Sequence, residues 1–372
     1  MENRMEMGIS LDHNDPYDFI VIGGGIAGLS AANHLIDLGA KVILVEAGTY
    51  PSHKVCGEFL SPECLPILEK WKLPIAQKIH HIHFVSDQKS YTFDIPGVAG
   101  GMSRYHFDTL LADRIIEKGS TVITENKVTN LRLPENVDRK KYEVTLASGD
   151  ILYSSNIVLG TGRIPFQGIH TKPPKIRYIG IKAHFEGIET NGTLQMHSLP
   201  SAYVGVSNIS PNVVNVACIA KVKCLDSFES PSHLMKHLLT LPESSSLRNT
   251  LSKGRMIFPD WMHTFAPTFT YSNPPKWESG FFVGDAAGST NPATGDGLSM
   301  GLISGRILSE YAMNGDAMGY RKAWRKRFIP QIRWGRLLHE ILLNPPLAKT
   351  AIGLSRTFPE FSQWFYRVTR GL

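Results

Sequence analysis

Tyr17-Asp18-Phe19-Ile20-Val21-Ile22-Gly23-Gly24-Gly25-Ile26-Ala27-Gly28 is the stretch on which the fold turns. Its first six residues, rich in β-branched and aromatic side chains and bounded by Pro16, read as a buried parallel strand. From Ile26 to Leu38, apolar residues recur at helical spacing (Ile26, Leu29, Ala32, Leu35, Ile36), and Gly39 stops the helix. Lys41 to Val45 forms a second strand that ends at Glu46. Strand, glycine turn, helix, strand and acid therefore follow in the order of a dinucleotide-binding unit. Gly23 permits the tight turn, Gly25 lets backbone N–H groups approach a pyrophosphate, and Gly28 lets the helix pack on the strand. The helix start at Ile26 and Ala27 offers partial positive charge to the phosphates. Glu46 lies 18 residues beyond Gly28, with Ala47 next to it, where an acid takes ribose hydroxyls. A carboxylate there suits FAD or NAD better than a 2′-phosphorylated cofactor.

A second glycine cluster lies some 260 residues later, in Phe281-Phe282-Val283-Gly284-Asp285-Ala286-Ala287-Gly288-Ser289-Thr290-Asn291-Pro292-Ala293-Thr294-Gly295-Asp296-Gly297. The pair implies a chain that leaves the nucleotide fold, builds another unit and returns to complete one site. That layout suits a flavin dinucleotide. Asp285, at a strand end, can accept hydrogen bonds from ribityl or sugar hydroxyls. Gly295 and Gly297 free the backbone so that a helix start can face an anionic flavin ring.

The two clusters together resemble the FAD fingerprints of flavoprotein monooxygenases (aromatic hydroxylases) and geranylgeranyl reductase-like enzymes, over residues 17 to about 310. The resemblance implies an FAD-dependent oxidoreductase and three further positions. Arg104 stands where these enzymes place an arginine near the FAD pyrophosphate, and Val128 where the backbone meets adenine. Lys54-Val55-Cys56-Gly57-Glu58 resembles the Cys-Gly loop of the reductase-like members, with Cys56 as a candidate proton donor near the flavin. Some motifs depart from the pattern. The Asp-Gly pair that many hydroxylases carry is replaced by Gly160-Thr161-Gly162-Arg163, which weakens the case for direct NAD(P)H handling. The paired-tryptophan motif of the related halogenases and the archaeal reductase signature are both absent; Phe258-Pro259-Asp260-Trp261 is a distant echo of the latter. NADH, NADPH or a separate reductase remain the alternatives for electron supply.

The expected fold class is α/β: a Rossmann-like FAD-binding domain with an inserted antiparallel β-sheet substrate domain and a helical C-terminal tail. The expected order begins with a first FAD-binding segment (17–80), substrate-domain strands (81–100) and a second FAD-binding segment (101–170). The substrate sheet (171–275), a third FAD-binding segment (276–315) and a basic tail (316–372) follow. Short alternating segments between Tyr178 and Lys221 read as the antiparallel roof of the site. His197, Tyr203 and His184 are the candidate polar groups on it; Met196, Leu199 and Val204 suit an apolar pocket.

At 372 residues the chain has ample length for two interleaved domains. No apolar run is long enough to span a bilayer, and the polar stretch Met1 to Asp15 has no signal-peptide core and reads as a frayed lead-in. Cys56, Cys64, Cys218 and Cys224 make neither a zinc pattern nor a disulfide framework, which predicts no metal and a reduced, cytoplasmic setting. After position 320 there are 11 Lys/Arg against 2 acids; before it, 28 against 31. The body therefore needs no nucleic-acid partner. The basic, aromatic tail reads as a helical lid, with peripheral membrane contact or an acidic carrier protein as the alternative partners. FAD-dependent monooxygenation of an apolar or aromatic small molecule is the leading expectation. Flavin-dependent double-bond reduction comes second, and a non-catalytic FAD-binding redox subunit third.

Overall fold

A computed structural model describes residues 16–134, 141–163, 176–267 and 280–371. The expected lead-in at 1–15 and the junctions at 170/171 and 275/276 lie outside the described residues. Tyr17–Ile22 (β1), Ile26–Asp37 (α1) and Val42–Val45 (β2) form the parallel βαβ unit, with Phe19 to Ile22 in register with Val42 to Val45. Phe59–Leu60 (β3), Leu65–Lys70 (α2), Gln77–Ser86 (β4) and Lys89–Gly101 (β5) leave it. Arg104–Glu117 (α3), Thr121–Ile123 (β6), Val128–Arg132 (β7), Tyr142–Leu146 (β8) and Ile151–Leu159 (β9) return to it. The inserted unit holds Ile176–Glu186 (β10), Thr193–Leu199 (β11), Ala202–Ser210 (β12), Val213–Lys221 (β13), Pro231–Thr240 (α4), Ser245–Leu251 (α5), Arg255–Met256 (β14) and Met262–Pro267 (β15). Gly280–Phe282 (β16) and Gly297–Ala312 (α6) come back to the first sheet. Ala317–Leu342 (α7), Pro345–Thr357 (α8) and Pro359–Arg370 (α9) make the tail.

The first sheet has the order β6-β2-β1-β9-β8-β7, with β16 alongside β9. Strand β9 serves two partners on one side: its first half pairs antiparallel with β8 and its second half parallel with β16. Ile157-Val158-Leu159 is thus held between β1 and β16 and is buried on both faces, which explains its unbroken apolar run. By this pairing β16 delivers the second glycine cluster next to the first.

The second sheet runs β14-β10-β13-β12-β11-β4-β5-β3, with β15 also on β10. Its pairs are antiparallel except β11 with β4. The sheet starts earlier in the chain than expected. Strand β3, inside the stretch assigned to the nucleotide unit, pairs with Gly100 and Gly101, and β4 begins at Gln77. The loop before β3 has to cross from one sheet to the other, so its end is tied to the second.

Two glycines let α6 lie directly on α1. A β-carbon at Gly305 would stand 2.5 Å from Ser30 Oγ and 2.7 Å from the Ala31 nitrogen. The Ser30 hydroxyl donates to the Leu302 carbonyl at 2.8 Å across this contact. The tail straps both units: Trp324 and Phe328 of α7 belong to the core of the first sheet, and Leu338 and Leu342 to the cluster under the second.

Gly305→Ala is expected to cost roughly 1–3 kcal/mol through overpacking against backbone. Gly353→Ala, in the interior of α8 with nothing within 4 Å of the added carbon, is expected to be neutral or to stabilise by up to about 1 kcal/mol. Urea unfolding of both variants checks this; equal shifts would contradict the close α1–α6 contact.

Candidate functional site

One cavity of about 330 Å³ lies between the two sheets, a size within the range of small-ligand sites. The first glycine cluster contributes Gly25, Ile26 and Ala27, and the second contributes Gly284, Asp285, Gly295 and Gly297. Their approach is close. Gly284 has φ +61°, and a β-carbon there would sit 2.4 Å from that of Ala27. Only glycine satisfies both the left-handed backbone and the contact. Gly23 and Gly28 shape the turn from behind, the former against Gly160. Helices α1 and α6 both begin at the cavity, so two helix N-termini face one space.

Glu46 holds the turn from its outer side. The Gly24 amide donates to its Oε2 at 2.6 Å and the Gly48 amide to its Oε1 at 2.9 Å, while Ala47 is exposed. Val128 is buried in the core of the first sheet and does not line the cavity. The loop before it donates from Glu125 and Asn126 to the Gly48 and Glu46 carbonyls, which puts it beside the acid. Arg104 does line the cavity. Its Nε and Nη2 donate to Asp108 at 2.5 and 2.6 Å; burial opposes its charge, but Asp108 more than compensates and raises its pKa. Arg163 bonds Asp285 at 2.9 Å, so the segment without an acid supplies a cation to the acid of the second cluster.

These features fit a flavin dinucleotide. The cradle is backbone amide and helix terminus on one side and Asp285 on the other. At the second cluster the Thr290 hydroxyl and the Asn291 amide nitrogen are buried with no hydrogen-bond partner, and Thr290 lines the cavity. Such donors suit the polar edge of a ring better than apolar filling.

The roof corrects part of the expectation. Leu194, Met196, Tyr203, Gly205 and Ala217 face the cavity. His197 does not: it points to the opposite face of β11, within 3.2 Å of Gln195 Oε1, and burial lowers its pKa to about 3. Leu199 and Val204 likewise belong to the core behind the roof. Strand alternation makes Met196 and His197 mutually exclusive as lining residues, and Met196 holds the position. The Tyr203 hydroxyl lies 3.2 Å from His339 Nδ1, and burial raises its pKa well above the ordinary phenol value.

The Cys-Gly loop is pinned by a buried ionic cluster invisible in the sequence. Glu58, fully buried, has the left-handed φ of +56°. Its Oε1 accepts from Lys182 Nζ at 2.6 Å and from the Arg104 amide at 2.8 Å; its Oε2 lies 2.7 Å from His184 Nε2. Lys182 Nζ also donates to the Lys54 carbonyl at 3.0 Å, so β10 grips both ends of the loop. His184, expected as a roof group, serves here instead. Cys56 and Arg104 both face the cavity, and the Cys56 Sγ accepts from the Glu58 amide at 3.4 Å. Strained backbone beside a ligand cavity persists where its surroundings over-determine it, as these ions do.

A second buried pair anchors the tail at the same site. Asp296, immediately before α6, is 3.4 Å from Arg370 Nε and accepts from Gln331 Nε2 at 2.7 Å. Burial drives the Asp296 carboxyl up to about 7, with Arg370 and Gln331 opposing. Arg370 also donates to the Thr294 carbonyl at 2.6 Å.

The comparisons with known proteins point the same way. The family model for FAD-dependent oxidoreductases matches residues 18–76. The menaquinone reductase of Mycolicibacterium smegmatis is 20% identical over 347 residues, covering 84% of this chain and 80% of that protein. Among solved structures, the flavin-dependent brominase Bmp2 superposes with a TM-score of 0.78 at 16% identity, over 96% of this chain and 94% of that one. A geranylgeranyl bacteriochlorophyll reductase-like protein from Thermoplasma acidophilum gives 0.75 at 16% identity, over 95% and 99%.

Burial alone would raise the Glu58 carboxyl, but His184 and Lys182 outweigh it and hold the group below its ordinary 4.5. A carboxyl depressed in the folded state adds stability above its unfolded pKa, and that share is lost as pH falls through the folded value. Glu58→Gln is therefore expected to lose roughly 3–5 kcal/mol at neutral pH, because Lys182 is left buried and unpaired. It is also expected to lack the acid-limb loss that the parent protein shows below about pH 4. Urea melts across pH test both, and a neutral-pH loss under about 1 kcal/mol would contradict the cluster's role.

Proposed function

We propose that this chain is an FAD-dependent oxidoreductase that reduces a carbon–carbon double bond in an apolar, prenyl-type substrate. The observation that carries this reading is the cavity lining. Apart from the hydroxyls of Tyr203, Ser207 and Thr264, its roof is small or apolar, through Gly205, Ala217, Leu194 and Met196. Its two carboxylates, Glu58 and Asp285, are committed to Lys182 with His184 and to Arg163. Ring hydroxylation of a phenol asks for a free base to activate the ring; double-bond reduction asks for a protic donor and exclusion of water.

A bound flavin supplies the redox chemistry, hydride delivery to carbon or activation of dioxygen. The chain's own contribution is placement and proton supply. Residues of the two glycine clusters, Glu46, Arg104 and Asp285 would hold the cofactor. Cys56 and Tyr203 are the candidate proton donors facing the cavity, and burial keeps the Tyr203 phenol protonated. The M. smegmatis relative, named for menaquinone, supports a prenylated lipid as the first substrate to try. Monooxygenation, the leading expectation from sequence, is the second reading and is favoured by the hydroxylase-like second fingerprint.

The test is chemical reduction of the holoprotein under nitrogen, then incubation with menaquinone in detergent and mass spectrometry of the product. With reductant in excess, the expected result is gain of two hydrogens without air that persists after the quinone ring is reoxidised and so lies in the side chain, slowed about a hundredfold in Cys56→Ala with flavin still bound. An inert anaerobic reaction, with an oxygen atom incorporated once air is admitted, would replace reduction by monooxygenation.

A further inference from the structure

The tail helices carry a surface that the flavin site does not use. Five of the fourteen large hydrophobic side chains exposed among the described residues fall between 337 and 364: Leu337, Leu347, Leu354, Phe358 and Trp364. They are not scattered. Beneath α7–α9 and β4–β5 lies a smaller apolar cavity of about 80 Å³, whose liners include the half-buried Ile341, Ala351 and Phe361. Leu337 stands four residues from Ile341, Leu347 and Leu354 four and three from Ala351, and Trp364 three from Phe361. Neighbours at these spacings share a helix face, so the exposed groups form a rim around the cavity's mouth. Trp334 closes the rim between α7 and α9, edge-on to Trp364 at 5.5 Å.

The cations are arranged to match. Lys322, Lys326, Arg333 and Arg336 are exposed and recur at i, i+4, i+11 and i+14, one stripe of α7 about 21 Å long, adjacent to Leu337 and Ile341. Arg367 lies three residues beyond Trp364. Against them this face has only Glu340 and Glu360. Two other cations are already spent on holding α8 to the β4–β5 hairpin: Lys349 pairs with Asp87 at 3.0 Å and Arg356 donates to the Ser90 carbonyl. A row of cations beside protruding aromatic and aliphatic groups is the layering of a bilayer interface, anionic headgroups over acyl chain. The small cavity also shares the walls Leu194, Met196 and Ala293 with the large one, so only these side chains stand between the two.

We infer that the α7–α9 face docks on an anionic lipid bilayer, with its hydrophobic rim in the acyl boundary and its α7 stripe on the headgroups. This docking stands whichever chemistry the flavin site performs. No helix among the described residues is long and apolar enough to cross a membrane, so the contact is to one surface.

Sedimentation of the holoprotein with vesicles of phosphatidylcholine alone, or mixed with phosphatidylglycerol, tests it. Binding to the mixed vesicles, weak binding to phosphatidylcholine alone, and release by salt are expected. Lys326→Glu with Arg333→Glu should lower the mixed-vesicle affinity about tenfold or more. Phe358→Ser with Trp364→Ser should also lower it, and both variants should keep their flavin. Failure of the holoprotein to bind mixed vesicles, or binding indifferent to both variants, would overturn the inference. Retention on an immobilised acidic carrier protein without vesicle binding would overturn it too, by assigning the face to a protein.

Discussion

The contact between Gly284 and Ala27 is the constraint on which the remaining architecture hangs. It brings together segments more than 250 residues apart, and it works only because residue 284 carries no side chain and accepts a left-handed backbone. The same demand continues along α6, where Gly301 and Gly305 press on α1. Two helix N-termini are thereby aimed at one cavity, and the strand order β1-β9-β16 follows from the need to deliver both clusters to the same sheet edge. The segments between the clusters that the first sheet does not take up, β3 to β5 and β10 to β15, form a separate sheet.

That second sheet becomes a roof because ions lock it to the first unit. Glu58, Lys182 and His184 are all buried, and each costs desolvation that only its partners offset. The arrangement is therefore specific in a way apolar packing is not: the Cys56 loop has one position in which the Lys182 and His184 side chains, the Ser103 hydroxyl and the Arg104 amide meet one carboxylate. Asp296 and Arg370 form a second buried contact, in which burial outweighs the partner, at the point where the last helix of the tail reaches the start of α6. The tail thus belongs to the site's frame, with its outer surface left for other contacts.

Local chemistry makes much of this legible. The glycine turn, Glu46, the second cluster, the roof strands and the helical tail all announce themselves through turn residues and periodicity within a few tens of residues. What escapes is phase and distance. Alternation shows that β11 has two faces but not which one Met196 takes, so it places His197 at a cavity that His197 does not touch. Nothing in the alternating strand around Lys182 points to its buried partner Glu58, 124 residues away. Arg163 reads as the sign of a missing acid, whereas it pairs with Asp285, and only the fold sets them side by side. Long-range pairing between charged groups leaves no periodic trace.

The account's central claim is that both glycine clusters hold one flavin. Its most direct test is the cofactor content of the purified chain, released by denaturation and quantified against protein, with Gly284→Val alongside. The prediction is one FAD per chain in the parent protein and none in the variant, even after incubation with added FAD. A parent protein that is colourless and takes up no FAD, or a Gly284→Val variant that retains it fully, would contradict the claim.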